Sequence, residues 1–183
     1  ALVQPMPLTT MKRTAPTLTP ASLLKISVVT CLLTTALHAA DWPQWRGPQR
    51  NGQSPETGLL QQWPKDGPKL VWQVKDIGSG YSTPSVSGDR VYLLSNEGLE
   101  NEFVLALSAK DGSRVWSAKL GAVGNPKQEP SYPAARSTPT VDGKFLYALG
   151  SDGDLVCLET ANGKERWRNE LFALAAPGAA GSK

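Results

Sequence analysis

The sequence predicts an all-β chain built from two copies of a four-stranded antiparallel unit plus one extra strand. Three observations predict it. Short apolar runs are punctuated by tight-turn signals, Asp142-Gly143, Asp152-Gly153 and Asn162-Gly163. The stretch Ser82–Ser95 recurs as Ser137–Gly150, and Leu105–Trp116 recurs as Val156–Trp167. The two copies differ in length in a single turn, NEGLENEF against SDGD, and insertions that spare strands mark a structural repeat.

The second copy shows the elements in order. Ser137–Val141 supplies a short first strand with Pro139 near its start. Phe145–Leu149 is apolar on both faces, the pattern of a strand covered on both sides. Leu155–Leu158 is the third strand, and Glu165–Leu171 carries Trp167 on the fourth. Leu70–Lys75 repeats the fourth strand alone, with Trp72 in the place of Trp116 and Trp167.

At these residues the chain resembles the PQQ-like (quinoprotein-type) β-propeller repeat. The motif is an apolar strand, a polar glycine turn and a tryptophan. It reads Leu105-Ala106-Leu107, Asp111-Gly112, Trp116, and again Val156-Cys157-Leu158, Asn162-Gly163, Trp167. The resemblance covers Leu70 to Leu171 and implies a partial β-propeller. In it Trp72, Trp116 and Trp167 would dock each four-stranded blade on the next. Members of this family include quinone-dependent dehydrogenases and non-catalytic scaffolds, and the repeat does not separate them.

The chain divides into four stretches: residues 1–40, an arm over 41–68, the repeats over 69–171, and an Ala/Gly-rich tail over 172–183. The first stretch reads as upstream residues and an export signal. Met11-Lys12-Arg13 is basic, and Ile26–Leu37 is an apolar run shorter than the roughly 20 residues that span a bilayer. Ala39-Ala40 offers small residues for cleavage, which leaves Asp41 as the mature start. Lipidation at Cys31 fits less well, because Thr30 precedes it and the apolar run continues past it. The expected location is therefore periplasmic or extracellular, with no membrane span after the signal is removed. The tail breaks the repeat pattern.

The leader also carries the basic excess. Lys12, Arg13 and Lys25 are three of 19 basic residues, and the remaining 16 balance 16 acidic ones. A neutral mature chain gives no reason to expect nucleic-acid binding. Cys31 and the single histidine, His38, also leave with the leader. Cys157 then remains alone between Val156 and Leu158, read as a buried small side chain. The mature chain thus lacks a Ser-His-Asp triad, a histidine zinc site and an intrachain disulfide.

Candidate partner-binding residues lie in the loops. The arm opens DWPQWRG, resembling exported PQQ-like repeat proteins of unassigned activity, and offers Trp42, Trp45 and Arg46. Their default role is to pack the arm on the body. The proline-rich connection Gly121–Ala135 and its end offer Lys127, Glu129, Tyr132 and Arg136. Asp152-Gly153-Asp154 reads as a turn, since it lacks the further oxygen ligands of a calcium loop. Glu97, Glu100 and Glu102 read as a solvated charged turn.

Propellers close with about four to eight blades, so two blades read as the first part of a larger ring. The expected function is an exported, non-catalytic scaffold that holds protein partners and binds no cofactor. The alternative is the N-terminal part of a PQQ-dependent alcohol-type dehydrogenase. That family holds PQQ with calcium, and no residue of this chain carries over as a ligand. A third reading, binding of carbohydrate through Trp42 and Trp45, rests on the aromatics alone. Unpaired strand edges add an expectation of self-association.

Overall fold

The computed structural model describes residues 40–124 and 135–171. Residues 1–39, read as upstream residues and most of an export signal and including Cys31 and His38, the loop residues Lys127, Glu129 and Tyr132, and the 172–183 tail lie outside the described residues.

Two four-stranded antiparallel sheets are formed. The first runs β1 (Ser85–Ser87), β2 (Arg90–Glu97), β3 (Asn101–Ser108) and β4 (Arg114–Ala122), paired in that order. The second runs β5 (Thr140–Asp142), β6 (Phe145–Leu149), β7 (Asp154–Glu159) and β8 (Glu165–Glu170) in the same order. Each is a meander, because every connection is a tight turn that can only join antiparallel neighbours.

Register makes the two sheets equivalent. Tyr92 pairs with Ala106, which pairs with Trp116; Tyr147 pairs with Cys157, which pairs with Trp167. Both sheets shift register at the same place, between Ala106 and Leu107 and between Cys157 and Leu158. An irregularity there bends the strand and increases its twist just before the glycine turn.

The core lies between the sheets. Alternation puts Tyr92, Leu94, Val104, Ala106 and Trp116 on one face of the first sheet, and all are buried. Leu146, Ala148, Val156 and Leu158 face them from the second sheet, also buried, and both sets belong to one cluster. Each such aliphatic side chain contributes about 1.5–3 kcal/mol by leaving water. The fold is therefore held by blade-on-blade packing as well as by the ladders within each blade.

Three sequence expectations change. The extra residues of the first copy do not all sit in a turn. They lengthen β2 and β3, so Glu97 is in β2, Glu102 and Phe103 are in β3, and only Gly98–Glu100 turns. Phe145–Leu149 is covered on one face only: Leu146 and Ala148 are buried, while Phe145 and Leu149 are exposed. Leu70–Lys75 runs beside the first sheet without a ladder of its own. A fourth strand pairs with a third, and the described residues hold none for it.

Candidate functional site

The junction between blades is built on Trp116, and Trp72 and Trp167 stand at the equivalent repeat positions. Trp116, only 8% exposed, donates its indole Nε1 hydrogen to the carbonyl of Thr160 at 3.0 Å. Its ring lies over Gly163, where an added Cβ would come within 2.6 Å of it. Gly163 also has φ +73°, so both space and backbone require glycine. Trp72 makes the same contact one blade earlier. Its Nε1 donates to the carbonyl of Ala109 at 2.9 Å, and its ring lies over Gly112. Trp167 stands at the third equivalent position and is 41% exposed. It keeps the same tilted ring pair with Tyr147 (6.0 Å, 43°) that Trp116 makes with Tyr92 (5.9 Å, 44°).

Polar ties reinforce this junction. Arg90 donates to the carbonyls of Thr160 (3.3 Å) and Ala161 (3.1 Å). Ser82 Oγ accepts from Leu94 N at 3.0 Å and donates to the carbonyl of Ser137 at 2.8 Å. Arg168 bridges back from β8: its guanidinium donates to Asp154 (2.8 Å), to Glu165 (2.8 Å) and to the carbonyl of Leu120 on β4. Burial acts against the Arg168 charge, but the hydrogen bonds it donates to Glu165 and Asp154 more than restore it and raise its pKa. Gly121 admits this cluster, since a Cβ there would meet the Asp154 carboxylate. Asp154 is thus an ion-paired strand residue at the blade junction, not part of a turn.

Glu102 corrects the reading of a solvated acidic turn. It is 0% exposed, and its carboxylate accepts from Ser151 N (2.9 Å) and Ser151 Oγ (2.5 Å) of the second blade. It continues the inward row of Val104 and Ala106 at a spacing of two, a signal the sequence contained. Glu97 and Glu100 are exposed.

The arm is anchored at the first strand of each blade. Trp42 exchanges two backbone hydrogen bonds with Val86 of β1 (2.8 and 2.9 Å), and the next carbonyl, of Pro43, accepts from Val141 N of β5 at 2.8 Å. The Asp41 carboxylate accepts from Ser87 Oγ (2.7 Å) and Gly88 N (2.9 Å). Trp42 is half-buried, its ring against Gly47. Trp45 behaves differently: it is 60% exposed, with the Arg46 guanidinium 5.4 Å from its ring centre. Arg46 also donates to the carbonyl of Asn51 at 3.1 Å, and Arg46 and Arg50 both have positive φ (64° and 58°). This loop is stapled into a conformation that L-residues seldom adopt, with an aromatic–cation pair on its surface.

Arg136 is placed elsewhere, its guanidinium 5.6 Å from the ring centre of Tyr81, an exposed residue the sequence reading passed over. Tyr81 N donates to the carbonyl of Ala135 at 2.8 Å, which ties together the two segments leading into the blades. The structure therefore shows two separate surface aromatic–arginine pairs, Trp45 with Arg46 and Tyr81 with Arg136.

Calcium takes six to eight oxygens converging on one point. No three His, Cys, Asp or Glu side chains among the described residues are grouped to hold a metal ion. Cys157 is buried, and burial raises its thiol pKa, the reverse of a reactive thiol. Asp111, exposed in its turn, is held at about 2, chiefly by the Ser113 hydroxyl and then by the Ser113 and Ser108 hydrogen bonds. Among the described residues no helix is long and apolar enough to cross a membrane.

Comparison with known proteins gives a consistent family. A family model described as outer membrane protein assembly factor BamB, one of the PQQ-repeat families, matches residues 54–182. A curated relative, the outer membrane protein assembly factor BamB of Moranella endobia (strain PCIT), is 26% identical over 120 residues. That match covers 62% of this chain and 30% of the relative, so the chain spans under a third of the curated relative's length. Among solved structures, that of BamB from Moraxella catarrhalis aligns with a TM-score of 0.44 at 24% identity. It covers 55% of this chain and 28% of that one.

Proposed function

Because this chain belongs to the PQQ-repeat family of outer membrane protein assembly factor BamB, we propose that it acts as an exported, non-catalytic propeller segment that holds protein partners. The observation that carries this reading is the contrast between junction and loops. The junction is locked by Trp116, Arg90, Glu102 and Arg168, while the loops it supports display two ordered aromatic–arginine pairs. Tryptophan, tyrosine and arginine on a rigid support are the residue types that dominate protein-binding hot spots.

The curated relative is named an outer membrane protein assembly factor. For this chain that supports export to the envelope and a partner that is itself a protein. The basic leader of residues 11–40 supports the same route. No cofactor is part of the proposal. Self-association enters only as a weak tendency of the strand edges, because β8 carries Glu165, Arg166, Arg168 and Glu170, charges that discourage edge pairing.

Site-specific photocrosslinking in a Gram-negative host tests the partner reading. A crosslinker at Trp45 or Tyr81 is expected to capture a discrete envelope protein, and R46A and R136A are expected to weaken the capture. No adduct from either position, with adducts instead from Trp116, would end it. Titration of the purified chain with PQQ and Ca²⁺ is expected to leave the quinone spectrum unchanged; stoichiometric binding would favour the dehydrogenase reading.

A further inference from the structure

We infer that the loop of residues 44–52 docks an acidic segment of a partner protein, with Arg46 and Arg50 as two carboxylate-binding forks and Trp45 as the apolar rest beside them. The inference rests on the partner reading above and deepens it by naming the chemistry of the partner.

The chain folds back on itself here. Gly47 N donates to the carbonyl of Gln44 (3.0 Å), Arg50 N to that of Gly47 (3.1 Å) and Gly52 N to that of Arg46 (2.9 Å). Beneath the loop lies the Trp42 ring, which a Cβ added at Gly47 would meet at 2.8 Å. Trp42 is itself bonded to Val86 of β1, so the loop stands on the first blade. Its conformation turns on Arg46 and Arg50, whose φ values are 64° and 58°. Glycine takes such angles without steric cost and arginine does not. Two cations thus hold places where the backbone alone favours glycine, and strain of that kind points to a use for the side chains.

Those side chains are already ordered. Arg46 donates to the carbonyl of Asn51 at 3.1 Å, and its guanidinium stands 5.4 Å from the centre of the Trp45 ring. Arg50 Nε donates to Gln44 Oε1 at 3.1 Å, and Gln44 Nε2 donates in turn to the carbonyl of Pro48 at 3.3 Å. A guanidinium carries five N–H donors in a fixed fork, so each arginine keeps most of its donors for a ligand. Both are exposed. The nearest carboxylates along the chain are engaged elsewhere: Asp41 accepts from Ser87 and Gly88, and Glu56 accepts from Ala40 N at 3.1 Å. Among the described residues neither arginine is ion-paired. Side chains ordered before binding lose less freedom on binding.

The ligand class follows from this set. Guanidinium forks match carboxylates in paired, charge-assisted hydrogen bonds. Trp45, 60% exposed, adds apolar area next to them. A protein segment with aspartate or glutamate beside an aromatic or aliphatic side chain meets both demands at once. A lipid surface fits less well, because attachment to anionic lipid takes clusters of about four to eight cations. Residues 44–52 hold Arg46 and Arg50 alone.

The test uses the purified full chain and a fluorescein-labelled peptide of alternating glutamate and phenylalanine, read by fluorescence anisotropy. A peptide with glutamine for glutamate is the control. The glutamate peptide should bind about tenfold more tightly or better, as expected of hydrogen bonds between charged groups. Its advantage should shrink as salt is raised. Arg50→Gly should remove most of that advantage while the melting temperature stays level or rises, since glycine relieves the strained φ. That pairing separates lost binding from lost folding. Equal affinity for the two peptides, or full affinity in Arg50→Gly, would overturn the carboxylate assignment. Tighter binding of oligogalacturonate, which carries carboxylates on sugar rings, or of phosphatidylglycerol vesicles would overturn the choice of a protein. The crosslinking experiment reads a different quantity. Adducts at Trp45 that persist in Arg50→Gly would leave the partner reading standing and remove this chemistry. Binding of the acidic peptide with no adduct in the cell would do the reverse.

Discussion

Trp116 and Trp167 are the same residue in sequence terms and opposite in energy. Trp116→Ala should cost about 3–5 kcal/mol, since it empties a buried site and orphans the Thr160 carbonyl. Trp167→Ala should cost well under half of that, and paired denaturant melts check the difference. Glu102 carries a second prediction. Alanine there leaves both Ser151 donors unmet and should cost about 1–3 kcal/mol, while glutamine, which keeps an acceptor, should cost less. Asp111 carries a pH prediction. Its folded pKa, about 2, lies below the ordinary 3.8, so its contribution is complete above 3.8 and fades as the pH falls through about 2. An NMR titration should show that midpoint, and Ser113→Ala should move it upward. At this scale the sequence was read unevenly. The tryptophans could be found because they recur. Glu102 was missed because it sits where the two copies differ in length, and Arg90 because its counterpart is Phe145, so the repeat gave no hint of a role.

Strands and turns were legible because a glycine turn between apolar runs has few alternatives. β6 was found with its bounds, and β7 and β8 within one residue at each end. The first strand of the second blade, read as Ser137–Val141, proved shorter and one residue later, because β5 pairs over three residues only. Strand coverage was misjudged: Phe145 and Leu149 are apolar as though covered, yet among the described residues they stay exposed, because an apolar pattern does not say which face meets a neighbour. The turns are also where the elements are most vulnerable. Gly163→Ala forces a side chain into the Trp116 ring at positive φ and should destabilise by about 1 kcal/mol or more. Red-shifted tryptophan emission would show that the blades have parted; an unchanged spectrum and melt would contradict the junction described.

Taken whole, the described body is strongest at the middle of its blade pair and weakest at its last strand. β3 is paired on both sides and, like β7, has buried residues through its centre, whereas β8 is an edge with almost every residue exposed. Native-state hydrogen exchange should therefore find the slowest amides in β3 and β7 and the fastest in β8. Uniform protection across the second blade would mean that its open face is covered in solution. The arm adds a consequence in time. Trp42 and Pro43 are bonded to Val86 and Val141, residues that leave the ribosome well after them. The arm therefore emerges first and can be seated only last, once both blades exist, because its long loop must close before any contact rewards it. Until then Trp42 stays available to whatever carries the unfinished chain, and seating the arm is the step that ends that availability.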